Sequence, residues 1–257
     1  MSAPETPPVR DDALPPLPNV LLVGAQKCGT SALAGSLRAH PEIFMPANKE
    51  LHHFGEVPDA EAAGPAYRRL FEGWHGERWV GEATPAYLYL PDAGPQIGRH
   101  LPGVRALAVL RNPVDRAYSA YWHGRIFYSF RGSFEEALAD EPRRVAAGEW
   151  AWAPLVDRGR YIGQLERFVD AGVSREQFHV LLHDDLVADQ AGALEGIAGF
   201  LGLASPLAPL ERSNESRRQV LPAVVGRRLQ RRVVEEFRAD NAALGEWLGR
   251  DLSHWDA

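Results

Sequence analysis

Asn19-Val20-Leu21-Leu22-Val23-Gly24-Ala25-Gln26-Lys27-Cys28-Gly29-Thr30-Ser31 is the stretch that decides the fold. Its apolar half is short, continuous and closed by a glycine, as expected of a strand buried on both faces of a parallel sheet. Thr30 to His40 reads as a helix, with Leu33 and Leu37 four apart and Pro41 marking its end. A strand, a glycine-bounded turn and a helix in this order leave the N–H groups of the first helical turn without intrahelical acceptors, and the dipole adds positive charge there. The result is an anion site, with Lys27 reaching across it. A tight strand-to-helix turn with no ligand is the other reading of the same residues. A nucleotide P-loop needs G-x-x-x-x-G-K-[ST]. Gly24 to Gly29 has that span, but Thr30 stands in the lysine position and Lys27 comes two residues before Gly29, so this is a phosphate loop of a different kind.

Lysine usage singles out the same loop. Lysine and arginine together number 28, and only Lys27 and Lys49 are lysines. Where lysine persists in so arginine-rich a chain, a compact ammonium on a flexible stem suits the position better than a planar fork. Chance survival in an arginine-biased composition is the plainer explanation, weaker for Lys27 than for Lys49.

Bulk properties narrow the class. A chain of 257 residues, 45% hydrophobic, can bury one sizeable core. A net charge of -6 gives no case for nucleic acid or an anionic membrane as main partner. The single cysteine, Cys28, excludes an intrachain disulfide and suits a reducing compartment. No signal-peptide core or membrane-length apolar run is present, so a cytoplasmic location is expected. Residues 1–18 read as a disordered, Pro-rich lead-in, followed by one domain over 19–257.

Along that domain, a strand-like segment is expected at Leu51-His52-His53-Phe54, a helix at Tyr67 to Phe71 and a short strand at Trp79 to Glu82. Val104 to Leu110 is a second buried strand, running into Asn112-Pro113, a helix cap followed by proline at the first helical position. That helix is expected to continue to about Tyr128. Residues 140–159, with Pro142, Gly148, Trp150, Trp152, Pro154 and Gly159, read as an insertion or long loop. Helices follow at Tyr161 to Val169 and Ala193 to Leu201, with a strand at Phe178 to Leu182 between them. The tail from Leu221 to Leu248 reads as two helical stretches. Alternating strands and helices argue for a three-layer α/β fold with a mainly parallel sheet.

A second chemical constellation is Arg111-Asn112-Pro113-Val114-Asp115-Arg116-Ala117-Tyr118-Ser119. Arg111 ends a buried strand at the carboxyl edge, where open α/β sheets bind ligands. Ser119, roughly two helical turns on, can point back to the same edge. An arginine fork with a hydroxyl suits a terminal phosphate; a helix-capping arginine with a packing serine is the alternative.

Together these two segments resemble the 5'-phosphosulfate loop and 3'-phosphate motif of the sulfotransferases that use 3'-phosphoadenosine 5'-phosphosulfate (PAPS), in particular the heparan-sulfate-type branch and its bacterial relatives. His40-Pro41-Glu42-Ile43, Asn48-Lys49-Glu50-Leu51-His52-His53-Phe54, Gly81-Glu82-Ala83-Thr84-Pro85-Ala86-Tyr87, Gly159-Arg160-Tyr161-Ile162-Gly163-Gln164-Leu165 and the acidic pair in Leu182-His183-Asp184-Asp185-Leu186 carry the likeness onward in the same order. It extends over about 18–202 and more weakly to 255.

The resemblance implies a P-loop-like fold, central sheet flanked by helices, and transfer of a sulfuryl group from PAPS to a hydroxyl, or less readily an amine, of a small-molecule or saccharide acceptor. Adenosine 3',5'-bisphosphate (PAP) would be the product, with no metal. It implies that amides around Lys27, Cys28, Gly29, Thr30 and Ser31 hold the 5'-phosphosulfate. The Lys27 ammonium would neutralise the leaving oxygen, and Arg111 and Ser119 would bind the 3'-phosphate. Glu50 matches the family's general base, with His52 in reserve; in a strict strand His52 shares Glu50's face and His53 does not. An exposed acid paired with Lys49 is the duller reading of Glu50. A nucleotide kinase acting with magnesium and a non-catalytic nucleotide-binding protein on the same fold are the alternative functions.

Some positions depart from the family. Ala83 stands where many relatives have a lysine, and the basic-glycine loop near the C-terminal end has no clean counterpart. Arg217-Arg218 is the nearest candidate to close over the 3'-phosphate, Arg218 first, against a reading as solvated charge. Heparan sulfate is therefore not carried over as substrate; a polyanion would also meet repulsion from an acidic protein. His179 and His183 on one strand would lie about 13 Å apart, too far for a metal pair. Trp150 and Trp152 could line an acceptor pocket or pack at its rim. Cys28 at a helix N-terminus is where a thiol pKa could fall, although its backbone is the expected contributor.

Overall fold

The computed structural model describes residues 14–59, 62–128, 130–149, 154–211 and 227–257. Five strands form one sheet: β1 (Val20–Gly24), β2 (Ile43–Phe44), β3 (Trp79–Ala83), β4 (Arg105–Leu110) and β5 (Phe178–Leu182). Their order is β2-β3-β1-β4-β5, and every pairing is parallel. The three-layer α/β expectation holds, with helices flanking the sheet. β1, and β4 after Arg105, are buried throughout, which is why they read as continuous apolar runs. The β1–β4 register shifts between Leu22 and Gly24, at the end of β1 that feeds the loop.

The helices are α1 (Thr30–Arg38), α2 (Pro65–Arg69), α3 (Ala93–His100), α4 (Pro113–Phe127), α5 (Phe134–Ala146), α6 (Tyr161–Asp170), α7 (His183–Ala188), α8 (Gln190–Leu201) and α9 (Arg227–Leu248). At the start of α4 the Asn112 side chain accepts from the Val114 amide, with Pro113 next to it as expected. Gly202 closes α8 in the left-handed conformation. A main core surrounds the sheet. A smaller one, with Tyr121, Phe134, Leu155 and Phe237, joins α4, α5 and α9.

Four expectations need correction. Leu51 to Phe54 is not a strand but an irregular hook: the Glu50 amide donates to the Ala83 carbonyl (3.0 Å) and the His53 amide to the Tyr87 hydroxyl (2.9 Å). The expected loop at 140–159 begins as helix, α5 continuing through Pro142. A capping box of Ser133 and Glu136 starts that helix. The buried Glu141 carboxylate fastens it by accepting from the amides of Val156 and Asp157 (2.9 and 2.7 Å). The tail is one continuous helix over its described part, 227–248. Its polar interruption, Asn241, is buried and satisfied by Asp256 (2.8 Å). The last residues of the lead-in also have fixed contacts. Leu17 packs against the core, and Arg68 donates to the carbonyls of Pro15 (2.6 Å) and Leu14 (3.0 Å).

Candidate active site

Left-handed backbone marks the site. Among the described residues, the non-glycine positions with clearly positive φ are Lys27 (72°), Glu50 (63°) and His52 (49°). This conformation is unfavourable for residues bearing a Cβ and persists only where surrounding structure imposes it, often at functional sites. These are the same three residues expected to be catalytic.

The first element is the loop from β1 to α1. The Ala25 amide bonds the Val109 carbonyl (2.8 Å), pinning the loop to β4. Gly29, at φ 96°, caps α1. The amides of Gly29, Thr30 and Ser31 therefore open the helix, where the backbone offers them no intrahelical acceptor. The Lys27 ammonium lies 3.3 Å from Nδ1 of His123 on α4. Cys28 is fully buried, its Sγ 3.8 Å from the Tyr161 hydroxyl. Burial raises its thiol pKa, so the lowered value considered for a helix N-terminus is not found.

The second element is the hook after Asn48. The Lys49 ammonium donates to Ser31 Oγ (2.7 Å) and to Glu50 Oε1 (2.9 Å). Both lysines of the chain thus stand at the loop between β1 and α1. The other Glu50 oxygen lies 3.4 Å from His52 Nε2, and His52 Nδ1 lies 3.2 Å from Glu56. A polar chain therefore runs from the first turn of α1 through Lys49, Glu50 and His52 to Glu56. The hydrogen bond with His52 pushes the Glu50 carboxyl down to about 2, helped by Lys49 and opposed by burial. Reciprocally, the Glu50 contact raises His52, with partial burial acting against it.

A buried base supports this hook. Glu82 on β3 accepts from the hydroxyls of Tyr67, Thr84 (2.9 Å) and Tyr87 (3.0 Å). Burial raises its carboxyl pKa despite those donors. The motif Gly81 to Tyr87 thus acts locally as scaffold: Ala83 and Tyr87 hold the backbone that presents Glu50 and His52.

Arg111 follows β4, the strand beside β1. Its guanidinium bonds Asp115 (3.0 Å), and its carbonyl accepts from Tyr161 (2.9 Å). Through Tyr161, which also touches Cys28, Arg111 is joined to the donor loop. Ser119 is half-buried, two turns along α4. Asp184 accepts from Trp255 (2.7 Å) and His254 (3.0 Å), and Asp185 pairs with Arg250 (2.9 Å), so this acidic pair ties down the C-terminal turn. Arg217, Arg218, Trp150 and Trp152 lie outside the described residues. Sequence reasoning missed His123; its spacing of four from Ser119, which puts both on one face of α4, was the available signal.

A cleft of about 670 Å³ opens beside the hook. Among its described lining residues are the carboxylates of Glu50, Glu56, Asp92 and Glu149, against Arg158, the His52 imidazole and the half-exposed ring of Tyr128. Arg158 is itself buried, over the Tyr89 ring and donating to Gln26 (2.8 Å). Burial, with the Arg116 charge, lowers it to about 10.

Residues 96–221 match the model of the sulfotransferase domain. The crystal structure of a sulfotransferase from Alicyclobacillus acidocaldarius is similar at a TM-score of 0.79 and 32% identity, covering 94% of this chain and 100% of that one. This chain belongs to the PAPS-dependent sulfotransferase family. Within that family, human heparan sulfate glucosamine 3-O-sulfotransferase 5 is 26% identical over 200 residues, 75% of this chain and 55% of that protein. The membrane-associated sulfotransferase kil1 of Dictyostelium discoideum is 33% identical over 109 residues, 41% of this chain and 22% of that protein. This sulfotransferase chain spans about half the length, or less, of the curated relatives it matches. Mouse sulfotransferase SULT7A1, solved with PAP, shares the fold at a TM-score of 0.52 and 16% identity over 90% of this chain. Among the described residues, no helix is long and apolar enough to cross a membrane.

Proposed function

We propose that this protein transfers the sulfuryl group of PAPS to a hydroxyl, or less readily an amine, of a small-molecule or saccharide acceptor. The observation that carries the reading is the Lys49 bridge from Ser31, next to the loop that bears Lys27, to Glu50 in the hook, with Lys27, Glu50 and His52 all in left-handed backbone. The donor set suits a phosphosulfate anhydride carrying a second phosphate: helix-start amides, Ser31 and the two ammonium groups for the phosphosulfate, and Arg111 with Ser119 for the 3'-phosphate. PAPS supplies the activated sulfuryl group and its phosphate leaving group. Lys27 places positive charge where the leaving oxygen becomes anionic, a form of electrostatic stabilisation. Asp115 holds the Arg111 guanidinium (3.0 Å), which would be the fork for the 3'-phosphate.

Glu50 is the expected base, but in the resting geometry its carboxylate is too weakly basic to take a proton alone near neutral pH. His52, raised by the same contact, is the better proton acceptor, with Glu50 stabilising the imidazolium it forms. We therefore assign base function to the pair.

The cleft lining argues for an uncharged or cationic acceptor. Its described lining includes four carboxylates and an exposed tyrosine, and its arginine donates to Gln26. A panel of neutral, amino and sulfated hydroxyl acceptors assayed with labelled PAPS tests the reading. Label transfer to a neutral or amino acceptor supports it. No transfer with any acceptor, together with no binding of PAP, refutes it.

A further inference from the structure

We propose that His123 is a positioning residue for Lys27, holding its ammonium at the donor loop through the imidazole Nδ1. This inference rests on the sulfotransferase reading of Lys27, and it assigns a role to a residue outside the loop and the hook.

The contact is 3.3 Å, between atoms 96 residues apart in sequence. An ammonium has donors and no acceptor, so Nδ1 is the accepting nitrogen and the ring proton sits on Nε2. The ring is fixed on its far side by aromatic contacts with Phe127 (4.6 Å between centroids) and Tyr128 (5.7 Å). It projects from α4, whose start is locked by the Asn112 cap. Ser119 and His123, four apart, share a face of that helix. One rigid element thus carries the residue expected at the 3'-phosphate and, about 6 Å further along its axis, the imidazole that holds Lys27.

The chemistry gives this contact a purpose. A lysine side chain has four rotatable bonds and loses much rotamer freedom when held in one place. An acceptor on a rigid helix fixes the ammonium before the donor arrives, so charge stabilisation needs no rearrangement during transfer.

The test is a double-mutant cycle with a conservative rescue. His123→Leu is expected to lower kcat about ten- to thirty-fold while PAP affinity, by calorimetry, changes less than about three-fold. His123→Asn sets its side-chain oxygen near the place of Nδ1 and is expected to recover most of the loss. In Lys27→Ala, adding His123→Leu is expected to cost nothing further. Losses that multiply in the double variant, or a His123→Leu protein with wild-type kcat, overturn the proposal. Imidazole ¹⁵N shifts read the contact without turnover. A wild-type signal with Nδ1 accepting, altered by Lys27→Ala, supports it, and an unaltered signal overturns it. Absence of both PAP binding and sulfuryl transfer in the wild type would instead refute the functional reading, leaving the ¹⁵N result to decide the contact.

Discussion

His52 Nε2 and a Glu50 carboxylate oxygen lie 3.4 Å apart, each displaced from its ordinary acidity by the other. If this pair accepts the acceptor's proton, only its less protonated form is competent. The value of kcat/KM should then rise with pH through the elevated His52 titration and level off above it. Glu50→Gln removes the attraction for the imidazolium, so the limb should move to lower pH as the plateau falls. A pH–rate profile of both proteins checks this, and a limb that stays in place would show that another group sets it.

Lys27→Ala should lower kcat by about 10²–10³, in the range for removing a preorganised charge-stabilising donor. PAP should still bind to the amides and Arg111. Equal losses in kcat and PAP affinity would mean that Lys27 anchors the nucleotide and does not serve the transfer step.

PAP at a hundred times its Kd should stabilise the folded protein by about 2.7 kcal/mol. ATP with magnesium, lacking a 3'-phosphate for Arg111 and Ser119, should shift the thermal midpoint far less. Arg111→Ala should shrink the PAP shift. Equal protection by both nucleotides would remove Arg111 from the assignment.

Tyr87 serves Glu82 and the hook at once, donating to the carboxylate and accepting from the His53 amide. Tyr87→Phe strands the buried His53 amide and takes one of three hydroxyl donors from Glu82, and should cost about 1–3 kcal/mol, measurable by urea unfolding. Because that amide fixes the backbone next to His52, kcat should fall as well. Loss of stability with unchanged kcat would separate the scaffold from the chemistry.

The sheet was legible because β1, and β4 after Arg105, are buried on both faces and carry no polar residue. The Asn112-Pro113 cap was legible because capping is local chemistry. The hook was not. Leu51, His53 and Phe54 look like strand residues, but the segment is held by the Glu50 and His53 amides on Ala83 and Tyr87, with positive φ at Glu50 and His52 that no residue type there announces. Helix α5 was hidden by Pro142, and α3 by Gly94 and Gly98, whose missing side chains allow close approach to Phe168 and to the Ala171 carbonyl. For the candidate site, Lys27, Glu50 and His52 were readable from their motifs. His123 was passed over: its spacing of four from Ser119 marks a shared helix face, but the link to Lys27 emerges only when the loop is folded against α4.

Trp255 is fully buried, three positions from the end of the sequence, and its backbone carbonyl accepts from the Asn112 side chain (3.3 Å) while its indole donates to Asp184. This turn is therefore a rivet for the helix that bears Ser119 and His123. Trimming those few residues, or forcing a bulky fusion against them, should loosen the nucleotide grip from a distance, without touching a single group that meets the donor.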